Sequence, residues 1–231
     1  DFLNKVKINT SLDHAVLHLS DIAWFTPDLQ GITTHVRISG HISGVISNIK
    51  GQNMTIEYGR TTLLSGNITM TGLPEFSNTF IQFKLKKLIT TPADLETIPL
   101  FPFYDNRRIQ LPDFMKQLTS ISFRGEFTGF YNDFVAYGDF FSPLGKISSD
   151  LSLKKASGND QFRFTGNIKT TGFRLGQFLE QEPLIGNLLF DAKVDGGGTS
   201  ADDYKIALNG LISHLDLNGY AYRNATISGD L

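Results

Sequence analysis

The sequence predicts an all-β fold: an antiparallel-type sheet curved into an open apolar trough, with a few short helical inserts, and a β-sandwich as the alternative. Two observations carry this expectation. Apolar residues recur with period two in segment after segment, while Ser, Thr, Asn, Lys and Gln fill the positions between. Strands with one apolar and one polar face suit antiparallel sheets rather than the doubly covered strands of a parallel α/β fold. The second observation is a glycine in the middle of many of these strands, on their apolar side. A mid-strand glycine offers no side chain to pack and is expected where a sheet bends or another group comes close.

The strands follow in order. Val36, Ile38, Gly40 and Ile42 share one face, as do Met54, Ile56 and Tyr58, and then Leu64, Gly66, Ile68 and Met70. Ile81, Phe83 and Leu85 come next, followed by Ile121, Phe123, Gly125 and Phe127, and by Ile147, Leu151 and Leu153. The last third adds Phe162, Phe164, Gly166 and Ile168; Leu188, Phe190, Ala192 and Val194; Ile206, Leu208, Gly210 and Ile212; and Leu215, Leu217 and Gly219. Helical signals are short. Ser20 precedes Asp21 to Phe25 as a cap, with Pro27 beyond. Thr91 caps a turn that has Pro92 at its first position and Asp94 and Glu96 as its early acids. Pro112 to Leu118 and Leu175 to Glu180 complete the set.

The repeat apolar-x-apolar-x-Gly-x-apolar is complete at residues 36–42, 121–127, 162–168 and 206–212, with a variant at 62–68. Its central glycines, Gly40, Gly66, Gly125, Gly166 and Gly210, are unevenly spaced, which excludes a propeller or a tight solenoid. They are read as the points that bend the sheet. The whole chain is expected to be one continuous β-rich segment, with a soft boundary near 90–120 where helical and Pro/Phe-rich sequence intervenes. Because the pattern stops inside a strand at Leu231, the chain reads as a fragment of a longer one.

Composition narrows function. With 21 Lys+Arg against 23 Asp+Glu, the net charge of −2 removes a basic nucleic-acid surface and long-range steering toward a charged partner. Hydrophobic residues at 40%, including 19 Phe, argue against disorder. No apolar run is long enough for a membrane-spanning helix. The absence of Cys excludes thiol chemistry and disulfides.

Reactive motifs are sparse. Gly196-Gly197-Gly198 lacks the Lys-Ser/Thr of a phosphate loop and reads as a flexible hairpin loop. His14 and His18, four apart beside Asp13, have a spacing compatible with a shared metal, but no third ligand is placed and no metal site is expected. His35, His41 and His214 stand alone in the sequence. Asp202-Asp203 reads as a solvated turn, and Asp94 and Glu96 as helix-start charges. Arg107-Arg108, after Leu100-Phe101-Pro102-Phe103-Tyr104, reads as a long ordered connection whose Phe residues cover an open sheet end, with a recognition loop as the alternative. Asn53, Asn67 and Asn224 head glycosylation-type triplets that a Thr/Asn-rich chain yields by chance. No nucleophile elbow occurs. Neither an enzyme nor a cofactor is expected.

Four stretches together resemble the AsmA-like superfamily, specifically TamB-like (translocation and assembly module) proteins of Bacteroidetes type. They are Ser20-Asp21-Ile22-Ala23-Trp24-Phe25-Thr26-Pro27-Asp28-Leu29 leading into Arg37-Ile38-Ser39-Gly40; Leu64 to Pro74; Ile121 to Phe130 with Asp133 to Gly138; and Phe164 to Ile168 with Thr171 to Gly176. The similarity covers nearly all of the chain. It implies an interior fragment of a periplasmic protein that is anchored in the inner membrane and reaches toward the outer membrane. It implies phospholipid acyl chains as ligand, and an Omp85-type barrel partner met through other parts of the full chain. Acyl chains require only apolar area, about 0.8 kcal/mol per buried methylene, so no reactive residue is needed. The residues expected to line the groove are Ile38, Ile42, Ile68, Phe123, Phe127, Phe162, Phe164, Ile168, Leu208 and Ile212. The competing expectation is a structural module whose edge strands pair with a client protein.

Overall fold

The computed structural model describes residues 2–22, 34–100, 107–111, 113–116, 118–155, 161–200 and 203–230. The fold is all-β and antiparallel, with four-residue helices between some of the strands. Strand order follows chain order, with β10 alone lying off the path. The chain divides into two compact units. One holds residues 1–110 and 124–131, the other 111–123 and 132–231.

The first unit contains α1 (Phe2–Lys5), β1 (Ile8–His18), α2 (Leu19–Ile22), β2 (His35–Val45), β3 (Asn48–Tyr58), β4 (Thr62–Thr71), β5 (Phe80–Thr90) and α3 (Pro92–Leu95). β1 to β5 form an antiparallel meander, each strand paired with the next. The sequence alternation becomes cross-strand rows. Ile42, Gly51, Ile68 and Phe83 stand opposite one another along one row, and Ile38, Ile56, Leu64 and Leu88 along another. Residues one position away make the polar face; Arg37 stands opposite Glu57 and bonds it at 2.7 Å.

What bends this meander is a line of bulges. The register shifts in all four pairings, and the extra residue lies on β1 between Leu12 and Ala15, on β3 between Gly51 and Thr55 (seen from both β2 and β4), and on β5 at Lys86. Each bulge inserts a residue, bends its strand and increases local twist. The shifts fall in mid-strand in four consecutive pairings, so the bends add. His14 (φ 49°) and Asn53 (φ 48°) sit at the β1 and β3 shifts in the left-handed conformation, which His and Asn tolerate better than most residues.

The second unit contains α4 (Asp113–Lys116), β7 (Asp133–Ser142), β8 (Gly145–Lys155), β9 (Phe162–Thr170), β10 (Phe173–Arg174), α5 (Leu175–Phe178), β11 (Ile185–Ser200), β12 (Asp203–Leu217) and β13 (Tyr220–Asp230). β6 (Ile121–Phe130) is divided: residues 121–123 belong to this unit and 124–130 to the first. β7, β8, β9, β11, β12 and β13 again pair in succession, and β10 adds two rungs to β11. Ala136, Leu151, Gly166, Val194, Leu208 and Gly229 form one continuous row.

Three local expectations change. Gly196-Gly197-Gly198 is not a hairpin loop. β11 runs through it, pairing Gly196 with Phe164, Gly197 with Arg163 and Gly198 with Phe162. A Cβ on Gly196 would lie 2.6 Å from Phe164 Cζ, so the glycine makes room for a ring from the neighbouring strand. The helix expected after a Ser20 cap is present only as α2, which begins at Leu19 and contains Ser20, so Ser20 does not cap it; Ala23 to Phe25 lie outside the described residues. Phe101, Phe103 and Tyr104 also lie outside them; the flanking chain forms a small antiparallel excursion, with Leu100 N–H donating to the Arg107 carbonyl at 2.8 Å.

The sandwich alternative does not form within either unit. Among the described residues there is one sheet, and no second sheet packs on the apolar rows. The core is accordingly thin. Val36, Met54, Ile121, Phe123, Leu144, Phe173, Ala192 and Val194 are its buried apolar residues.

Candidate functional site

Along β5 and β12 the two faces differ in exposure as well as chemistry, whereas in β2 every residue from Ile38 to Val45 is half-buried. Along β12, Lys205, Ala207, Asn209, Leu211 and Ser213 are exposed, while Ile206, Leu208, Gly210 and Ile212 are half-buried. A flat single sheet would bare both faces equally. Bending brings side chains on the concave side toward one another, so they shelter each other without a second layer.

Most of the residues expected to line a groove lie in the apolar rows. In the first unit Ile38, Ile42 and Ile68 lie in the rows described above, and all three are half-buried, as is Phe127 in β6. In the second unit Phe162, Phe164, Ile168, Leu208 and Ile212 are half-buried on the apolar rows. Phe123 is different: it is buried against Phe140, their ring centres 4.5 Å apart. It belongs to the packing of its unit more than to an open surface.

The glycines have a more specific role than leaving room for a guest. A Cβ on Gly66, Gly166 or Gly210 would collide with the carbonyl oxygen of Lys84, Asp150 or Asp191 on the adjacent strand. These positions let neighbouring backbones close in. At Gly40 (φ +135°) a Cβ would meet Met54 Sδ at 2.6 Å, and at Gly51 it would meet Met54 Cγ at 2.7 Å. Met54, only 4% exposed, therefore lies across both glycines and fills the space above them. Gly125 lies in the middle of β6, half-buried.

The opposite face is a lattice of cross-strand ion pairs. Arg163 grips Asp195 through Nε at 3.1 Å and Nη2 at 2.7 Å, Lys169 reaches Asp191 at 3.0 Å, and Lys154 reaches Asp133 at 3.0 Å. The hydrogen bond from Arg163 holds the Asp195 carboxyl below its ordinary range. A depression of about 530 Å³ opens beside these pairs, lined by Thr165, Asn167, Lys193, Asp195, Asn209 and Ser228 among others. Those side chains belong to the polar rows. Of the ten expected lining residues only Leu208 borders it.

The titratable groups do not assemble a reactive centre. His214 Nε2–H donates to Asp216 Oδ1 at 2.8 Å, and the Asn187 backbone N–H and the His214 ring hold the Asp216 carboxyl low. His14 is spent on Asp13 at 2.6 Å, and His41 shares a hydrogen bond with Ser11 at 3.1 Å. Among the described residues no group of three or more His, Asp or Glu side chains converges, and no helix is long and apolar enough to cross a membrane.

Local sequence reasoning missed one site. Asp94 is a helix-start acid, but its carboxylate is buried under the β3–β4 turn. Oδ2 accepts from Thr61 N–H at 2.8 Å, Thr61 Oγ1 at 2.8 Å, Thr62 N–H at 2.9 Å and Thr62 Oγ1 at 3.0 Å, and Arg60 N–H approaches both oxygens at 3.2 Å. Burial pushes this carboxyl up, but the donors from Thr61, Arg60 and Thr62 outweigh it and bring it down to about 2. A carboxylate so enclosed is a staple between α3 and the turn.

Compared with models of known protein families, with curated proteins and with solved structures, the chain matches none.

Proposed function

We propose that this chain is a non-catalytic segment of a cell-envelope protein that spans the periplasm between inner and outer membranes. It holds phospholipid acyl chains against its apolar face, for lipid transport or in support of outer-membrane protein assembly. The observation that carries this reading is the half-buried apolar face in each unit, built from continuous cross-strand rows and facing no second sheet of its own unit. Its counterpart is a polar face that carries cross-strand ion pairs such as Arg163–Asp195, Lys169–Asp191 and Lys154–Asp133. A water-exposed apolar face of this extent needs an occupant. An acyl chain gains about 0.8 kcal/mol per methylene by lying there, without any directed polar contact. The resemblance to TamB-like proteins supplies the envelope setting.

The test is extraction of gently purified protein with organic solvent, followed by mass spectrometry for phospholipid. Stoichiometric acyl lipid supports the reading. Absence of endogenous lipid, together with failure to bind an added fluorescent phospholipid, removes it. That second outcome favours the other reading, a module that pairs strands with a client or an Omp85-type barrel. Its support is that β1 and β13 are each paired along one side only.

A further inference from the structure

We infer that His18 and His35 form a two-histidine clamp for a divalent transition-metal ion on the polar face of the first unit. The sequence keeps these residues apart, but the register places them directly opposite each other at the last rung between β1 and β2. Their ring centres are 5.7 Å apart and the rings are inclined at 42°.

This separation suits a shared ion. A ligating imidazole nitrogen stands about 2.0–2.1 Å from zinc, which puts each ring centre about 3.2 Å from the ion and two centres about 5.2 Å apart at a tetrahedral angle. The observed spacing is reached by opening that angle slightly or by a small side-chain rotation, with the backbone unmoved. Both residues are exposed, so an ion has an open path and can keep water at its remaining positions. Among the described residues neither ring has a hydrogen-bond or ion-pair partner, whereas His14, His41 and His214 are each committed to a neighbour. Arg37, one rung along the same face, is paired with Glu57 and its charge is thereby offset.

Two imidazole nitrogens select Cu²⁺, Zn²⁺ or Ni²⁺, with Cu²⁺ the tightest, and give no purchase to Mg²⁺ or Ca²⁺, which demand oxygen. The bound ion would also close the long connection between His18 and His35 and pin the end of strand β1 to β2. A clip of that kind stabilises by restricting the unfolded loop.

Isothermal titration of the whole chain with ZnCl₂ or CuCl₂ tests this. One site is expected, tighter for Cu²⁺ than for Zn²⁺, with MgCl₂ giving no heat. His18→Gln and His35→Gln should each weaken Cu²⁺ binding about tenfold or more, with circular dichroism unchanged because both side chains are exposed. His14→Gln and His41→Gln should leave it intact. In the wild type, the imidazole proton resonances of His18 and His35 should be the ones broadened by substoichiometric Cu²⁺. The inference is overturned if binding survives both substitutions, if it is lost with only one of them, if the broadened resonances belong to other histidines, or if no binding occurs below millimolar metal.

Discussion

Replacing Asp94 removes the most heavily bonded side chain in the first unit, and the cost can be worked from the structure. A carboxyl at about 2 in the folded chain against an ordinary 3.8 means that folding favours the ionised form by about 2 kcal/mol. The residue is only 5% exposed, so solvent screens this little. Asp94→Asn keeps the shape but points an amide NH₂ or a weaker carbonyl at the donors of Thr61 and Thr62. It should cost about 2 kcal/mol at pH 7, which for a chain of this length lowers Tm by roughly 4–8 °C. The sign with pH is fixed. Because the folded value is depressed, the stabilisation is complete above about pH 4 and fades as pH falls through about 2. The assay is urea denaturation of wild type and variant at pH 7 and at pH 2.5. The gap should be present at the first and clearly smaller at the second. A variant within 0.5 kcal/mol of wild type at pH 7, or a gap that does not shrink in acid, refutes the staple.

Other expectations follow from the two faces. Met54→Ala should cost about 2–3 kcal/mol by uncovering Gly40 and Gly51, read by the same denaturation. Gly166→Val should prevent the close approach of β9 to β8 at Asp150 and be lost from the soluble fraction or unfold well below wild type on heating. Arg163→Ala should leave the denaturation midpoint nearly unchanged, because its pair with Asp195 is solvent-exposed. Leu208→Lys and Asn209→Lys put the same charge one residue apart on opposite faces; only the first should abolish retention of fluorescent phospholipid.

Much of the architecture was legible because period two is a local signal: every rung of β2, β4, β9 and β12 could be assigned a face from its own segment. The cap Thr91-Pro92 was equally local, and α3 starts there with Thr91 Oγ1 accepting from Asp94 N–H at 3.3 Å. What was not legible depends on partners remote in sequence. Asp94 looked like a dipole charge because its donors lie 32–34 residues earlier. Gly196-Gly197-Gly198 carries no local sign of a strand, because what fills its space, the Phe164 ring at Gly196 and the Phe162 carbonyl at Gly197, belongs to β9. Register sets Gly66, Gly166 and Gly210 opposite apolar residues, and only register and contacts show that they face neighbouring backbone, while Gly40 faces Met54. His18 was grouped with His14 by spacing, and the bulge between Leu12 and Ala15 pairs it with His35 instead.

An acyl chain is expected on the apolar face of the sheet and not on the polar one. The direct measurement is photocrosslinking with a phospholipid that carries a diazirine in its acyl tail, followed by peptide mapping by mass spectrometry. Adducts should concentrate on the apolar rows, at Ile38, Ile68, Phe164, Leu208 and their cross-strand neighbours. Adducts on Asn167, Lys193 and Asn209 around the polar depression, or spread evenly over both faces, would contradict it.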